Sequence, residues 1–375
     1  MLFRGGKVFT GEKFEKLSVR VEDGKIAEIA PVLSEKAGEE VVELAGNLLV
    51  PGFIDLHTHG CVGHDFSTAD REEIDRMCEF YLSRGITSVA GTTMTMGYED
   101  YKKAAATIGE YMESVENHNL IGINMEGPFL SIEKKGAHDP QYIIDASQEK
   151  MDELNRLAKG HFLIVDVAPE RPGAIEFIRK NSKDYVISVA HTTADYDKAM
   201  EAFEAGATEV THLFNAMNGL GHRDPGVPGA AFAAGVNVEM ICDGIHIHPT
   251  VMRMVYRLYR EHLLVISDSM SAAGLEDGEY VLGGLPVFVK NGKATLENGT
   301  IAGSTTDMLK EMGVWMDLCG LSMEEILPCM TINQAKAVHM EDKIGSIETG
   351  KAADLVVISR TREIQAVYKN GIRKV

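Results

Sequence analysis

Apolar residues along the chain fall into short, near-continuous runs separated by longer segments with helical spacing. The runs are Leu48–Leu56, Ile86–Ala90, Ile121–Met125, Phe162–Val167, Tyr185–Ala190, Thr208–Thr211, Val236–Ile241 and Leu263–Ser267. Runs this apolar suit strands of a parallel sheet covered on both faces, not half-exposed strands that alternate. The first intervening segment carries helix signals. Ser67 stands as a cap with Asp70 three residues on, Ile74, Met77, Cys78, Tyr81 and Leu82 form a stripe, and Gly85 is a stop. Eight strand–helix units predict an α/β fold, a (β/α)8 barrel of the TIM type.

The two ends of the chain read differently. Near the N-terminus LSVRV alternates and an Asp23-Gly24 turn leads into KIAEI; near the C-terminus ADLVVI and IQAVY precede an Asn370-Gly371 turn. Neither end has enough strands to bury a core alone. The expectation is one small β-sandwich built from residues 1–50 and 345–375, with the barrel in 51–344. Residues 275–300 read as a β-hairpin excursion after the eighth strand.

The polar residues that follow these runs change the picture. His57 and His59 end the first strand, Glu126 the third, His191 the fifth, His212 the sixth and Asp268 the eighth. Active sites of such barrels gather at the C-terminal ends of the strands, so these side chains are predicted to converge. Taken singly, each has a plain reading as a helix cap or a hydrogen-bonded core group; together they predict a metal centre. Positions i and i+2 of a strand share a face, so His57 and His59 can reach one ion. Imidazole with carboxylate suits zinc, iron, cobalt or manganese better than magnesium or calcium. An ion of this kind brings water close to ionisation at neutral pH, and Asp268 is the natural general base and acid beside it.

Composition narrows the field. The 375 residues are 45% hydrophobic and 25% charged, as in ordinary globular chains. A formal net charge of -19 argues against nucleic acid or anionic membranes as partners. No apolar run has the length of a membrane span, and MLFRGGKVFTGEKF lacks the apolar centre of a signal peptide. Five scattered cysteines without CxxC spacing fit reduced thiols in the cytoplasm. His64, His222 and His248 read as structural, the Lys134-Lys135 pair as a solvated loop, and Cys61 as a core thiol rather than a ligand.

PGFIDLHTHG, MEGPFL, KKGAHDP, VAHTTAD, THLFNAMN, HRDPG, CDGIHIHP, SDSMSAAG, IAGST and GKAADLVV occur in this order. This series resembles the N-acetylglucosamine-6-phosphate deacetylases, within the amidohydrolase superfamily, and the resemblance runs from about residue 1 to 375. It implies hydrolysis of the N-acetyl amide of a sugar phosphate in amino-sugar catabolism. It implies a principal metal, zinc or iron first among the choices, on Glu126, His191 and His212, and in some members a second on His57 and His59. Asp268 would be the catalytic acid and base. Ala137 and His138 would meet the sugar and acetyl group, and Asn215 and Ala216 would offer polar contacts. Asp243, Gly244, Ile245 and His246 would form a segment against the sugar phosphate, while Ile301, Ala302 and Gly303 would line the pocket. The resemblance also implies a homodimer in which Arg223 reaches the neighbouring active site. Two departures stand out: SDSM where TDAM is usual, and GAHDP where GAHNP is usual, which puts Asp139 beside the expected phosphate site, with its side chain expected to point elsewhere.

Three alternatives bear on this reading. An epimer such as N-acetylgalactosamine 6-phosphate is a neighbouring substrate. A cyclic amidase would carry a carboxylated lysine after the fourth strand, but here FLIVDV runs on into Ala-Pro-Glu. A non-catalytic scaffold would have lost ligands, and none is missing.

Overall fold

The first apolar run is two strands, and Gly52 is the reason. Leu48–Pro51 pairs antiparallel with Leu355–Ile358, whereas Phe53–Thr58 enters the barrel beside Ile86–Thr93. Between them, a Cβ on Gly52 would lie 2.0 Å from Thr87 Oγ1, so only glycine lets the chain pass from one sheet to the other. The computed structural model describes residues 1–375.

The central sheet has eight parallel strands: β1 (Phe53–Thr58), β2 (Ile86–Thr93), β3 (Leu120–Met125), β4 (Phe162–Val167), β5 (Val186–Val189), β6 (Glu209–Val210), β7 (Asn237–Ile241) and β8 (Leu263–Ile266). They neighbour one another in sequence order, with a helix in every connection, so the fold is the expected (β/α)8 barrel. β1 and β8 share no ladder. Instead the Asp55 carboxylate accepts from Ser267 N and Oγ (3.2 and 2.6 Å), and Asp268 N donates to His57 O at 2.9 Å. The barrel is thus closed by the Asp55 side chain together with single main-chain bonds instead of a regular ladder. Burial pushes the Asp55 carboxyl up to about 7, against the hydrogen bonds from Ser267.

The first barrel helix, Arg71–Ser83, has Asp70 as its cap, and Asp70 and Glu73 form a reciprocal capping box. The expected cap, Ser67, is used elsewhere: its Oγ accepts from Met94 N at 3.0 Å. The apolar stripe is as expected, with Ile74, Met77, Cys78, Tyr81 and Leu82 buried against the sheet.

Both termini contribute to a pair of smaller sheets. One has four strands, from Leu2–Arg4, Ser18–Glu22, Lys25–Ala30 and Val41–Glu43. The other has six strands and joins Lys7–Phe9 and Leu48–Pro51 to Leu355–Ile358 and Ile364–Lys369. Phe3 and Tyr368 meet edge to face across the two sheets, their ring centroids 4.9 Å apart, inside a common core with Val19, Ile26, Leu49 and Leu355. This is a small sandwich. Residues 278–295 form a three-stranded antiparallel sheet after β8, its buried face packed on Met94, Ala137 and Met270.

Candidate metal centre and cavity

Six side chains from five strand ends meet at one mouth of the barrel. Glu126 follows β3 and is the hub. Its Oε1 lies 3.0 Å from His191 Nε2 and 3.0 Å from His212 Nε2. Its Oε2 lies 3.2 Å from His59 Nε2 and 3.2 Å from His138 Nε2. His57 Nε2 stands 3.7 Å from Glu126 and 3.8 Å from Asp268, and His59 Nε2 stands 3.2 Å from Asp268. All these side chains are buried or nearly so. Two groups have the proximity that a shared ion requires: Glu126, His191 and His212, and His57, His59 and Glu126.

Backbone strain aims part of this set. His191, His212 and Asp268 each follow a strand and have positive φ, at 41°, 29° and 45°. For non-glycine residues that conformation costs about 1–3 kcal/mol each. It turns each side chain out of the strand direction and over the barrel mouth. No residue pattern in the sequence marks it.

The hydrogen-bond roles fit a cation better than a proton network. His191 Nδ1–H donates to Lys134 O at 2.8 Å, so its Nε2 carries a lone pair. That lone pair faces a carboxylate oxygen at 3.0 Å and another imidazole nitrogen at 3.1 Å. His57 Nδ1–H donates to Glu239 at 3.0 Å, which leaves a bare, buried Nε2. Acceptors gathered this closely repel one another unless a positive ion lies among them. Ligand atoms about 2.0–2.1 Å from a four-coordinate ion sit roughly 3.4 Å apart, close to the separations seen here. The residues therefore fit a divalent transition metal.

Electrostatics agree. Burial would raise the Glu126 carboxyl, but His138 and the other surrounding imidazoles hold it well below the usual range. Burial pushes His191 down to about 4, so it is a neutral ligand at physiological pH. Burial also opposes charge on His59, yet the Asp268 and Glu126 carboxylates outweigh it and push the imidazole up to about 10. The acids thus demand positive charge at that point. Asp268 is held below its ordinary value because the His59 and His57 imidazoles outweigh its burial, so it is a ready carboxylate.

A cavity of about 410 Å³ opens above the centre. Ala137, His138, Asn215, Ala216, His246, Ile301 and Gly303 line it, with Asp268 and four of the five expected metal ligands. His57 lies beneath, fully buried. Asp243, Gly244, Ile245 and Ala302 do not line it. Asp243 accepts from His246 Nδ1–H at 2.8 Å and from His246 N at 2.9 Å, and so fixes that ring. Ile245 is exposed, and Ala302 is buried behind the wall. Arg223 is exposed on its loop and does not reach the cavity of its own chain. Asp139 caps the short helical turn Pro140–Tyr142 and points away from the cavity.

Sequence reasoning missed several contributors. Met94 and Leu282 complete an apolar wall with Ala137, and Leu282 comes from the excursion after β8. Lys134, expected in a solvated loop, lines the cavity, and it is the only lysine or arginine that does. Its Nζ contacts only the Met217 carbonyl, at 3.3 Å. Two of the other histidines have the structural roles expected of them: His64 faces Glu73, and His248 caps the helix Pro249–Tyr259. The Cys61 Sγ contacts Met77 O at 3.8 Å, and burial pushes its thiol well up. All five cysteines are free and buried, and no helix is long and apolar enough to cross a membrane.

Comparison with known proteins agrees with this geometry. The amidohydrolase family profile matches residues 48–373. The chain is 35% identical to N-acetylglucosamine-6-phosphate deacetylase of Bacillus subtilis over 354 residues, covering 92% of this chain and 89% of that one. The crystal structure of N-acetylglucosamine-6-phosphate deacetylase from Pasteurella multocida superposes with a TM-score of 0.94 at 30% identity, covering 99% and 98% of the two chains. A mutant of the Mycobacterium smegmatis deacetylase in complex with N-acetyl-D-glucosamine-6-phosphate superposes with a TM-score of 0.93 at 30% identity, covering 100% and 99%.

Proposed function

Because the chain belongs to the amidohydrolase family, a metal-dependent family, we infer that its cavity hydrolyses the N-acetyl amide of N-acetylglucosamine 6-phosphate, giving glucosamine 6-phosphate and acetate. The observation that carries this reading is a buried carboxylate, Asp268, set among metal-compatible imidazoles at the floor of a cavity with one apolar wall. Full-length relatives named for this activity support it.

Glu126, His191 and His212 would hold the principal ion, and His57 and His59 a second. When bound, such an ion would supply Lewis acidity toward the amide carbonyl and lower the pKa of nearby water. Asp268 takes the proton of the attacking water, whose oxygen bonds the acetyl carbon. As the C–N bond breaks, Asp268 returns the proton to the departing nitrogen. His138 stands beside Glu126 at the acetyl end. Ala137, Met94 and Leu282 accept the methyl group and exclude water from it.

At the other end of the cavity the substrate carries nearly two negative charges. Lys134 and the ring of His246, fixed by Asp243, are this chain's own groups for the phosphate. Arg223 completes the set from a second copy of the chain in a homodimer, where its guanidinium suits phosphate oxygens. The free, buried cysteines fit a cytoplasmic location.

The test is acetate release by the purified enzyme from N-acetylglucosamine 6-phosphate, its galacto epimer and unphosphorylated N-acetylglucosamine. The phosphorylated gluco substrate should have the highest kcat/KM. Chelation should abolish turnover, and Zn²⁺, Fe²⁺, Co²⁺ or Mn²⁺ should restore it. Higher kcat/KM for the epimer would reassign the substrate, and full activity in chelator would refute the metal centre. Mixing Arg223→Ala and Asp268→Asn subunits should regain activity in hybrid dimers. If subunits exchange and no activity returns, Arg223 serves its own chain.

A further inference from the structure

Glu239 lies on β7, directly below the centre, and no part of it reaches solvent. A buried carboxylate is costly unless it is paired, and no lysine or arginine pairs with this one; its only basic partner is His57. Its Oε2 accepts two hydrogen bonds. One comes from His57 Nδ1–H at 3.0 Å and the other from His212 N at 3.2 Å. A single oxygen thus ties the side chain of one candidate ligand to the main chain of another. Its acidic neighbours Asp166 and Glu209 are pushed well above the ordinary carboxylate range, by burial before all else.

The contact settles the orientation of His57. With Nδ1–H held by Glu239, the other nitrogen presents its lone pair upward, toward Glu126 and Asp268. That Nε2 is buried and has no hydrogen-bond partner. A carboxylate behind a ligating imidazole fixes its tautomer and raises its basicity. We propose that Glu239 is a positioning residue that makes His57 competent to hold a second ion with His59 and Glu126. Through His212 N it couples that position to the first ion's ligand set.

The inference rests on the metal-centre reading above, but its test does not depend on the substrate. Apoprotein of the wild type and of Glu239→Gln is titrated with Zn²⁺, and bound metal is counted after gel filtration. Wild type should take up two ions per chain. In Glu239→Gln the Gln carbonyl still accepts from His212 N, but its charge behind His57 is gone. The first ion should remain near wild-type affinity, and the second should weaken by roughly 10–100-fold. The apoproteins should melt at similar temperatures, whereas the rise in Tm on adding metal should shrink in the variant. A merely structural role would lower the apoprotein Tm instead. His57→Gln should remove the same ion, and Glu239→Gln in that background should change nothing further, because the effect passes through His57. Glu239→Leu, which has no acceptor, should lose the second ion outright. The proposal is overturned if wild type binds one ion, if Glu239→Gln binds both with wild-type affinity, or if both ions weaken equally.

Discussion

Replacing Asp268 by Asn separates base chemistry from architecture. The residue has φ 45°, a left-handed conformation that Asn tolerates as well as Asp does. Its main chain donates from N to His57 O at 2.9 Å and accepts from Ser304 N at 2.8 Å, and neither bond involves the side chain. The barrel closure therefore survives. What changes is the side chain, buried and 3.2 Å from His59 Nε2. As a carboxylate it takes a proton from the attacking water and returns it to nitrogen; as an amide it can do neither. Positioned acid–base groups contribute about 10²–10⁴-fold, or roughly 3–5 kcal/mol of barrier at 1.4 kcal/mol per decade. The kcat for acetate release should fall by that factor, with KM changed much less. Metal content of the Glu126, His191 and His212 site should stay at the wild-type level. The assay is acetate release on protein of verified metal content and unchanged Tm. If such protein keeps more than about a tenth of wild-type turnover, well above the range such a base supplies, another group is the base.

Lys134→Met should raise KM for the phosphorylated substrate by roughly 10–100-fold, the worth of one charged hydrogen bond, and leave turnover of unphosphorylated N-acetylglucosamine unchanged; equal effects on both substrates would place the ammonium away from the phosphate. Gly52→Ala forces a methyl into Thr87, 2.0 Å from Oγ1 and 2.7 Å from Cβ, and should cost about 1–3 kcal/mol by overpacking, read as a lower urea midpoint; an unchanged midpoint would show that the two sheets part easily there. Glu39 is held at about 2, from 4.5, chiefly by its hydrogen bond from Arg20. Since this folded-state value is depressed, the stability it contributes is complete above about pH 4.5 and is lost as pH falls toward 2. The gap in urea midpoint between wild type and Glu39→Gln should therefore close on acidification; a constant gap would mean that the pair does not titrate with folding.

Sequence patterning located the barrel because near-continuous apolar runs record burial on both faces, and burial is what a parallel barrel imposes. It also placed Glu126, His191, His212 and Asp268, since strand ends of one sheet share one mouth. The same signal does not record which sheet a run joins. Leu48–Leu56 reads as one strand because both of its halves are buried. Only the contact between Gly52 and Thr87 divides it, and that contact is between residues 35 positions apart in number. Ser67 shows a related loss. A cap is chosen by local geometry, and Asp70 with Glu73 satisfies more donors than Ser67 could, which frees Ser67 to hold Met94 N.

The residues hidden from the sequence share a physical cause: their partners are remote and their environment is three-dimensional. Lys134 looks like any loop lysine until the connections after β3 and β6 fold over the same space and bring it to the Met217 carbonyl. Leu282 belongs to the excursion after β8, and it walls the cavity because the small sheet packs back on Met94 and Ala137. Glu239 is the extreme case. In Val236–Ile241 it is one acid in an apolar run, which by pattern alone would argue for an exposed position. Its true surroundings are His57 and His212, 182 and 27 residues away in sequence. A charged residue inside a strand that is otherwise buried on both faces is therefore informative because it breaks the pattern, and here the hydrogen bonds it accepts come from two residues of the metal centre.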